Sequence, residues 1–404
     1  MDARALRGVR VVEYCTRVSG PYCAKLLADM GAEVIKIEAP GVGDEARRMP
    51  PFLGDTPDPE RSGLFLYLNS NKLGITLDLA KDQGREVFLR LVRDADILVE
   101  DRPPGEMAAM GLGYEALRAI NPGIIFASVT PFGESGPYRG YKAHELNIAH
   151  VSGQGYLLPL PAPDMDRPPV KSGGHASDCD AGLVAALPIL AALFWKGLTG
   201  QGQFVEISKQ EALISMQRVE SVTFPNDGVV MTRRGHMKGR MPGGIMPCKD
   251  GYVVAVVPQE HQWEALVELI GNPDWSQEEW CKDSVTRSQQ VDEINQHLLD
   301  WMAQHTKEEI FRKGQALSCP VSPVYSAEDI VSSEQYAARE FFAEIEHPAM
   351  GRLRFPSSSY RFSKTPWKVE RPAPLLGQHN QEILGRRLGY SKEELDAFRK
   401  ACAI

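Results

Sequence analysis

No pair of cysteines stands in a C-x-x-C spacing anywhere in these 404 residues. The seven that occur, Cys15, Cys23, Cys179, Cys248, Cys281, Cys319 and Cys402, are scattered and odd in number. Neither a disulfide framework nor a thiolate metal site is read from them, and they are expected to be reduced cytosolic thiols. The first strand-like run is not followed by G-x-G-x-x-G; its turn reads Thr16-Arg17-Val18-Ser19-Gly20-Pro21, which lacks the glycines that let backbone approach a pyrophosphate. G-x-x-x-x-G-K-[ST] and G-x-S-x-G are absent as well, so phosphate-loop and serine-hydrolase readings have no anchor. His144 and His150 flank Glu145 without the i, i+4 spacing of a zinc helix, and no metal is expected. An excess of basic residues is also missing: 45 Lys and Arg face 53 Asp and Glu, for a net charge of −8. That balance argues against a nucleic-acid partner, which needs a basic footprint to displace counterions. The longest apolar run, 181–195, contains Pro188 and falls short of the roughly 20 residues that cross a bilayer. It reads as a buried helix, and no membrane partner is expected. The first residues run directly into a strand-like segment without the apolar stretch of a leader, so the expected location is cytoplasmic.

What is present is an alternation of strand and helix patterns. The β-branched run 9–14, the helical spacing of Cys23, Leu26, Leu27 and Met30, and the run 33–38 after Gly31 together read as a βαβ unit. A helix over 84–94, a strand over 97–100, a helix over 114–120 and a strand over 124–129 continue the pattern. The expected fold class is therefore α/β, a doubly wound Rossmann-like large domain with a parallel sheet. Residues 152–174, rich in Gly, Pro and polar side chains, read as a long functional loop. Glycine and basic residues from 224 to 251 read as a linker opening a smaller α+β domain, with a strand over 252–257 and amphipathic helices near 263–270 and 294–304. The expected division is 1–210 for the first part of the large domain, 211–330 for linker and small domain, and 331–404 for a segment returning to the large domain.

Several stretches occur in a telling order: Gly20-Pro21, residues 27–38 (LADMGAEVIKIE), Asn69-Ser70-Asn71-Lys72, residues 95–100 (ADILVE), Pro104-Gly105, Gly111-Leu112-Gly113-Tyr114, residues 199–203 (TGQGQ) and Leu376-Gly377-Gln378-His379. No single stretch is diagnostic, but their combination resembles the class III CoA-transferases, the CaiB/BaiF family. The resemblance implies an enzyme that moves CoA between carboxylic acids, with acyl-CoA and a free acid as substrates and no permanently bound cofactor. It also implies a large and a small domain and an interlocked dimer, as a homodimer or as a heteromer with a related subunit.

The family's nucleophilic aspartate heads an apolar helix shortly before a pair of small residues. In Ser177-Asp178-Cys179-Asp180-Ala181-Gly182 the matching position is Asp178. Chemically a carboxylate can take an acyl group from a thioester and pass CoA on through a covalent aspartyl intermediate, and a helix N-terminus suits its charge. The plainer role for either aspartate is to cap the helix, and Asp180 is expected to be such a cap. Lys142 matches a basic position near CoA in formyl-CoA transferase-like members, and Leu77 an apolar one. Arg17, Arg47, Arg48, Lys72 and Arg102 are further candidates for the CoA phosphates, unless they are surface charges.

The sequence also departs from those members. Ala39 stands where they have arginine, Asp101-Arg102 where they have asparagine and an aromatic, and Ala109 where they have another arginine. Pro242-Gly243-Gly244 is a short counterpart of their glycine-rich lid, which argues against oxalate as acceptor. Residues 143–147 (AHELN) resemble the Gly-His-Asp-Ile-Asn block of α-methylacyl-CoA racemases, in which His144 and Asp178 would be the acid-base pair; otherwise His144 holds substrate or fills space. Glu145 matches an acidic position in both branches. The expected activity is CoA transfer from an acyl-CoA donor to a free carboxylic acid, with a racemase-type epimerase and a non-catalytic subunit of a hetero-oligomer as alternatives. Arg17 and the pair Arg233-Arg234 could neutralise a second carboxylate on a substrate.

Overall fold

The computed structural model describes residues 3–160, 164–217, 219–233 and 241–404. It forms two compact units, Met1–Arg234 with Phe341–Ile404, and Gly235–Glu340.

The first unit is built on a six-stranded parallel sheet in the order β3-β2-β1-β4-β5-β6. Its elements are β1 (Arg10–Tyr14), α1 (Ser19–Asp29), β2 (Glu33–Glu38), α2 (Gly63–Leu68), β3 (Lys72–Thr76), α3 (Asp82–Arg93), β4 (Ile97–Glu100), α4 (Glu106–Ala109), α5 (Tyr114–Ile120), β5 (Ile125–Thr130), α6 (Glu145–Val151), α7 (Ala176–Thr199), β6 (Phe204–Ser208), α8 (Lys209–Met216) and α9 (Glu220–Asp227). The second unit holds a three-stranded antiparallel sheet of β7 (Gly243–Cys248), β8 (Gly251–Val256) and β9 (Val321–Pro323), with helices α10 (Glu260–Leu269), α11 (Ser284–Gln289), α12 (Val291–Met302), α13 (Lys307–Ala316), α14 (Ala327–Ser332) and α15 (Glu334–Ala338). The chain then adds the hairpin β10 (Phe342–His347) and β11 (Gly351–Pro356) and the helix α16 (Lys392–Lys400) to the first unit. This is the mixed α/β class expected from the alternation.

Strand periodicity divides the large core in two. Val12, Ile35, Ile37, Leu73 and Leu98 point to a layer made with Val87, Phe88 and Leu91 of α3, Leu117 of α5 and Leu395 of α16. Val11, Val34, Ile97, Val99 and Ile125 point to the opposite layer, with Cys23, Ala24 and Leu27 of α1 and Ala185, Ile189 and Ala192 of α7. Both faces of the sheet are thus covered, as parallel strands require. The strand order reverses between β1 and β4, so the loops after their carboxyl ends diverge and leave a crevice there.

Two strands of the large sheet escape sequence reading. β3 carries Gly74 in its centre, and a Cβ there would lie 2.6 Å from Cγ of Pro374. The returning segment covers this edge: His379 Nδ1 accepts from Gly74 N at 3.0 Å and Asn380 Oδ1 from Thr76 N at 2.9 Å, satisfying strand groups that would otherwise be an open edge. β6 is short and follows Gly202, whose Cβ would strike Ile124 O at 2.0 Å.

Helix α7 runs 24 residues, beyond the apolar run seen in sequence, and is long and apolar enough by composition to span a membrane. Its small residues Ala181, Gly182, Ala185 and Ala192 are buried against the sheet and α1, while Leu183, Leu187, Phe194, Trp195 and Leu198 are exposed. The helix expected to be buried is therefore buried on one face only.

Candidate active site

The site is assembled on the loop joining β1 to α1, and buried charges fix that loop at every turn. Glu13 of β1, Lys36 of β2 and Lys72 of β3 have fully buried side chains: Lys36 Nζ reaches Glu13 at 2.8 Å and Asp44 at 2.8 Å, and Lys72 Nζ reaches Glu13 at 2.7 Å. Lys36 also donates to Cys15 O at 3.1 Å, Lys72 to Pro21 O at 2.8 Å and to Asn69 Oδ1 at 2.9 Å. Thr16 N donates to Asp101 at 2.8 Å and Arg17 N to Asp44 at 2.8 Å. Arg17 adopts a φ of 65°, a left-handed conformation uncommon for non-glycine residues, which Asp44 holds in place.

Burial governs the charges in this network. Desolvation lowers the Lys72 ammonium to about 8 against the pull of Glu13. Lys36 is desolvated too, but Asp44 and Glu13 outweigh that and raise it. Burial pushes Asp44 up, yet Lys36 and the N–H groups of Ala46 and Arg17 bring it below the usual carboxylate value. Burial raises Glu100 to about 7.

Asp178 is the third residue of α7, whose N-cap is His175. Its Oδ1 accepts from Ser19 Oγ at 2.9 Å and from Lys209 Nζ at 3.1 Å. Both donors hold the same oxygen, and among the described residues Oδ2 has no hydrogen-bond partner. Ser19 opens α1, and Lys209 opens α8 behind its N-cap Ser208. Ser19 approaches Asp178 closely because Gly182, one turn further along α7, rests on it: a Cβ at Gly182 would lie 2.5 Å from Ser19 O. Asp180 falls on the fifth residue of α7, past the free N–H groups of the first turn, and α7 has no side-chain cap. The expectation that Asp180 caps the helix is corrected by this extra turn of helix before it. Cys179 beside it is an inert thiol, raised to about 12 by burial and then by Asp178 and Asp180.

Glu145 begins α6 behind His144. It receives Lys171 Nζ at 3.1 Å and lies 3.4 Å from His175 Nδ1. Ligand atoms of Glu145, His175 and Asp178 lie within 4.8 Å of one another, so Glu145 and Asp178 are close neighbours, each already facing a lysine. His144 is exposed; Arg17 Nη1 meets its Nδ1, and Arg17 Nε donates to Glu45 at 2.7 Å. The catalytic candidates Asp178 and Glu145 are thus brought together, with His144 next in chain to Glu145.

The CoA candidates separate into groups. Leu77 and Arg102 line a cavity of about 100 Å³ with Tyr14, Thr16, Ala39, Gly43 and Asp78, at the carboxyl ends of β1 to β4. Arg102 donates to Asp101 at 2.6 Å and to Thr16 Oγ1 at 3.1 Å, and lies over the Tyr14 ring. Lys142 is exposed before α6. Arg47 is buried, bonded to Glu38 and Glu60 and to Pro374 O, with Phe65 under its guanidinium. Lys72 sits in the network beneath the loop, and Arg48 donates to Val42 O. Arg233 is bonded to the carbonyls of Met165 and Arg167, while Arg234 and part of the 224–251 segment lie outside the described residues. Gly243 and Gly244 open β7 with φ of 98° and 102°.

Sequence reasoning missed Ser19, Lys209, His175 and Lys171. The capping pattern Ser208-Lys209-Gln210-Glu211 marks a helix start, but nothing in it points to Asp178.

A doubly wound α/β unit that presents a helix-borne carboxylate with one oxygen held by two donors has the form of a group-transfer enzyme. The CoA-transferase family III model matches residues 6–380. A formyl-CoA:oxalate CoA-transferase of Streptomyces coelicolor is 33% identical, with 100% of both chains covered. The alpha subunit of a succinyl-CoA–L-malate CoA-transferase of Chloroflexus aurantiacus is also 33% identical, over 98% of this chain and 91% of that one. Among solved structures, a CaiB/BaiF family protein from Brucella suis matches with a TM-score of 0.85 at 26% identity, covering 95% of this chain and 99% of the other. A hypothetical protein from Mycobacterium tuberculosis matches with a TM-score of 0.78 at 27% identity, covering 95% and 99%. The chain belongs to CoA-transferase family III and is a class III CoA-transferase enzyme.

Proposed function

We propose that the chain moves CoA from an acyl-CoA donor to a free carboxylic acid through a covalent intermediate on Asp178. The observation that carries this reading is the asymmetric carboxylate, with Oδ1 held by two donors and no hydrogen bond to Oδ2 among the described residues. Oδ2 attacks the thioester carbonyl, CoA leaves as thiolate, and a mixed anhydride forms. The thiolate then attacks Cγ of Asp178, the donor acid departs carrying Oδ2, and an aspartyl thioester is left. The acceptor carboxylate reverses these steps and receives CoA. Dividing one exchange into several lower barriers is the benefit of covalent catalysis.

CoA is substrate here. Its nucleotide end is assigned to the crevice beside Leu77, Tyr14 and Arg102, with Lys142 on the phosphates. Lys72 and Arg47 instead hold the loop and the returning segment, since their charges are spent on buried partners. Glu145 steadies the surroundings of Asp178 through Lys171 and His175. The acceptors named for two relatives, oxalate and L-malate, are both dicarboxylic acids, and the partly exposed Arg17 is the cation suited to a second carboxylate. The exposed stripe Leu183, Leu187, Phe194 and Leu198 on α7 is suited to burial against a second copy or a related subunit. Seven unpaired cysteines accord with a cytoplasmic setting.

Incubation with an acyl-CoA followed by hydroxylamine tests the mechanism: a hydroxamate on Asp178 is expected, and none in Asp178→Ala. The epimerase alternative needs His144 as base, yet Arg17 occupies its Nδ1, which places the neutral ring's proton on Nε2. α-Deuterium uptake from heavy water without acceptor, with no hydroxamate, would instead identify the epimerase.

A further inference from the structure

Attack at Cγ of Asp178 has a requirement of its own. Each time CoA thiolate or an acceptor carboxylate adds to Cγ, the bond to the retained oxygen opens and a full negative charge gathers on it. If Oδ2 is the attacking atom, it departs with the donor acid, and the retained oxygen is Oδ1. Ser19 Oγ and Lys209 Nζ lie 2.9 and 3.1 Å from that atom in the resting enzyme. This is the distance at which preorganised donors stabilise an oxyanion.

We infer that Ser19 and Lys209 form the oxyanion site of this enzyme, directed at the enzyme's own aspartyl carbonyl rather than at the substrate's. The inference rests on the covalent reading above. In the resting state the pair holds a carboxylate oxygen; in the anhydride and thioester the same atom is a carbonyl oxygen, polarised by both donors. In each tetrahedral adduct it is an alkoxide facing an ammonium and a hydroxyl. Collapse of the adduct expels either the acid or CoA thiolate and restores the carbonyl, so no proton needs to move at Oδ1. Lys209 contributes charge, and its attachment at the start of α8, behind the Ser208 cap, fixes where the ammonium points. Its side chain is 19% exposed and that of Asp178 is 12%, so the pair works largely out of water, where such donors count most. Ser19 is supplied by the first turn of α1, on the loop that Lys36, Lys72, Asp44 and Asp101 hold rigid. The oxygen that accumulates charge is thus tied to the starts of two further helices, α1 and α8.

The test is steady-state and single-turnover kinetics of Lys209→Met, Lys209→Arg and Ser19→Ala with an acyl-CoA and an acceptor acid. Loss of one oxyanion donor lowers turnover by about 100- to 1,000-fold. Lys209→Met is therefore expected to lose about 100-fold in kcat with KM for acyl-CoA within about threefold, Lys209→Arg to recover at least a tenth of wild-type turnover, and Ser19→Ala to fall by about tenfold or more. Hydroxamate formation in a single turnover should slow in parallel. Lys209→Met or Ser19→Ala with more than a third of wild-type kcat overturns the inference. So does Lys209→Arg no faster than Lys209→Met, because the charge would then be irrelevant. Ser19→Ala, which removes one oxygen atom, keeps the test decisive should Lys209→Met fold poorly. The underlying covalent reading is judged separately on wild type: turnover of acceptor acid labelled with ¹⁸O should place label in Asp178, and its absence sinks that reading whatever the variants do.

Discussion

Substitution of Gly182 by alanine isolates the contact between α7 and α1. The new methyl carbon would lie 2.5 Å from Ser19 O and 3.2 Å from Tyr22 Cβ. An ordinary contact needs about 1 Å more at the carbonyl, and a backbone oxygen at the first turn of a packed helix cannot rotate aside as a side chain would. The start of α1 must therefore shift by about 1 Å, and overpacking of this kind costs about 1–3 kcal/mol. Alanine returns about 1 kcal/mol of helix propensity relative to glycine, so the net loss of stability is expected to be about 0–2 kcal/mol. Activity should suffer more. The shifted residue is the one whose Oγ holds Asp178 Oδ1, and a misplacement of about 1 Å in such a group costs up to about 100-fold. Gly197 in the same helix serves as control, because a Cβ there meets nothing within 4 Å; Gly197→Ala should be neutral or up to about 1 kcal/mol stabilising, with full activity. Urea unfolding and initial rates of CoA transfer measure both quantities. Gly182→Ala with unchanged stability and unchanged kcat would refute the claim that this close approach positions the site.

Other perturbations test other parts of the account. Asp178→Asn should abolish transfer while leaving the fold intact by circular dichroism. Lys72→Met strips Glu13 Oε2 of its cation inside the protein and releases Pro21 O, so a loss of about 3–5 kcal/mol is expected in denaturant unfolding. Burial holds Glu100 protonated up to about 7 against an ordinary 4.5. The folded chain therefore binds the extra proton between those values, and the stability it confers is present below 4.5 and lost as pH rises through 7. Glu100→Gln should gain on wild type by up to about 3 kcal/mol between pH 4.5 and 8, seen as diverging urea midpoints. Leu187→Glu with Phe194→Glu should convert an oligomer to monomer in analytical ultracentrifugation; retained assembly would place the interface elsewhere.

Period and punctuation made most of the sheet legible in the sequence. β2, β4 and α5 fall on the expected residues because β-branched runs and helical spacing are local properties of the chain. Asp178 was singled out by the family resemblance, its place before an apolar helix alone being equally that of a cap, and the helix begins earlier than expected, at Ala176. β3 and β6 were not legible. Each is short, and the glycine that weakens the pattern in or before it serves a partner remote in the chain, Pro374 for Gly74 and Ile124 for Gly202.

Charge is where local reading reaches its end. Lys72, Arg47, Arg17 and Lys209 are alike as letters, and only packing separates them: the first two lie fully buried on carboxylates, the third stands partly exposed, and the last faces Asp178. Alternating strands and helices, and with them much of the layered sheet, were written in the order of residues, because apolar periodicity sets which strand faces meet a covering layer. The meeting of Ser19 and Lys209 on one oxygen of Asp178, across 159 and 31 residues of chain, was decided by tertiary structure, because only the packing of α1, α7 and α8 brings three helix starts to one point.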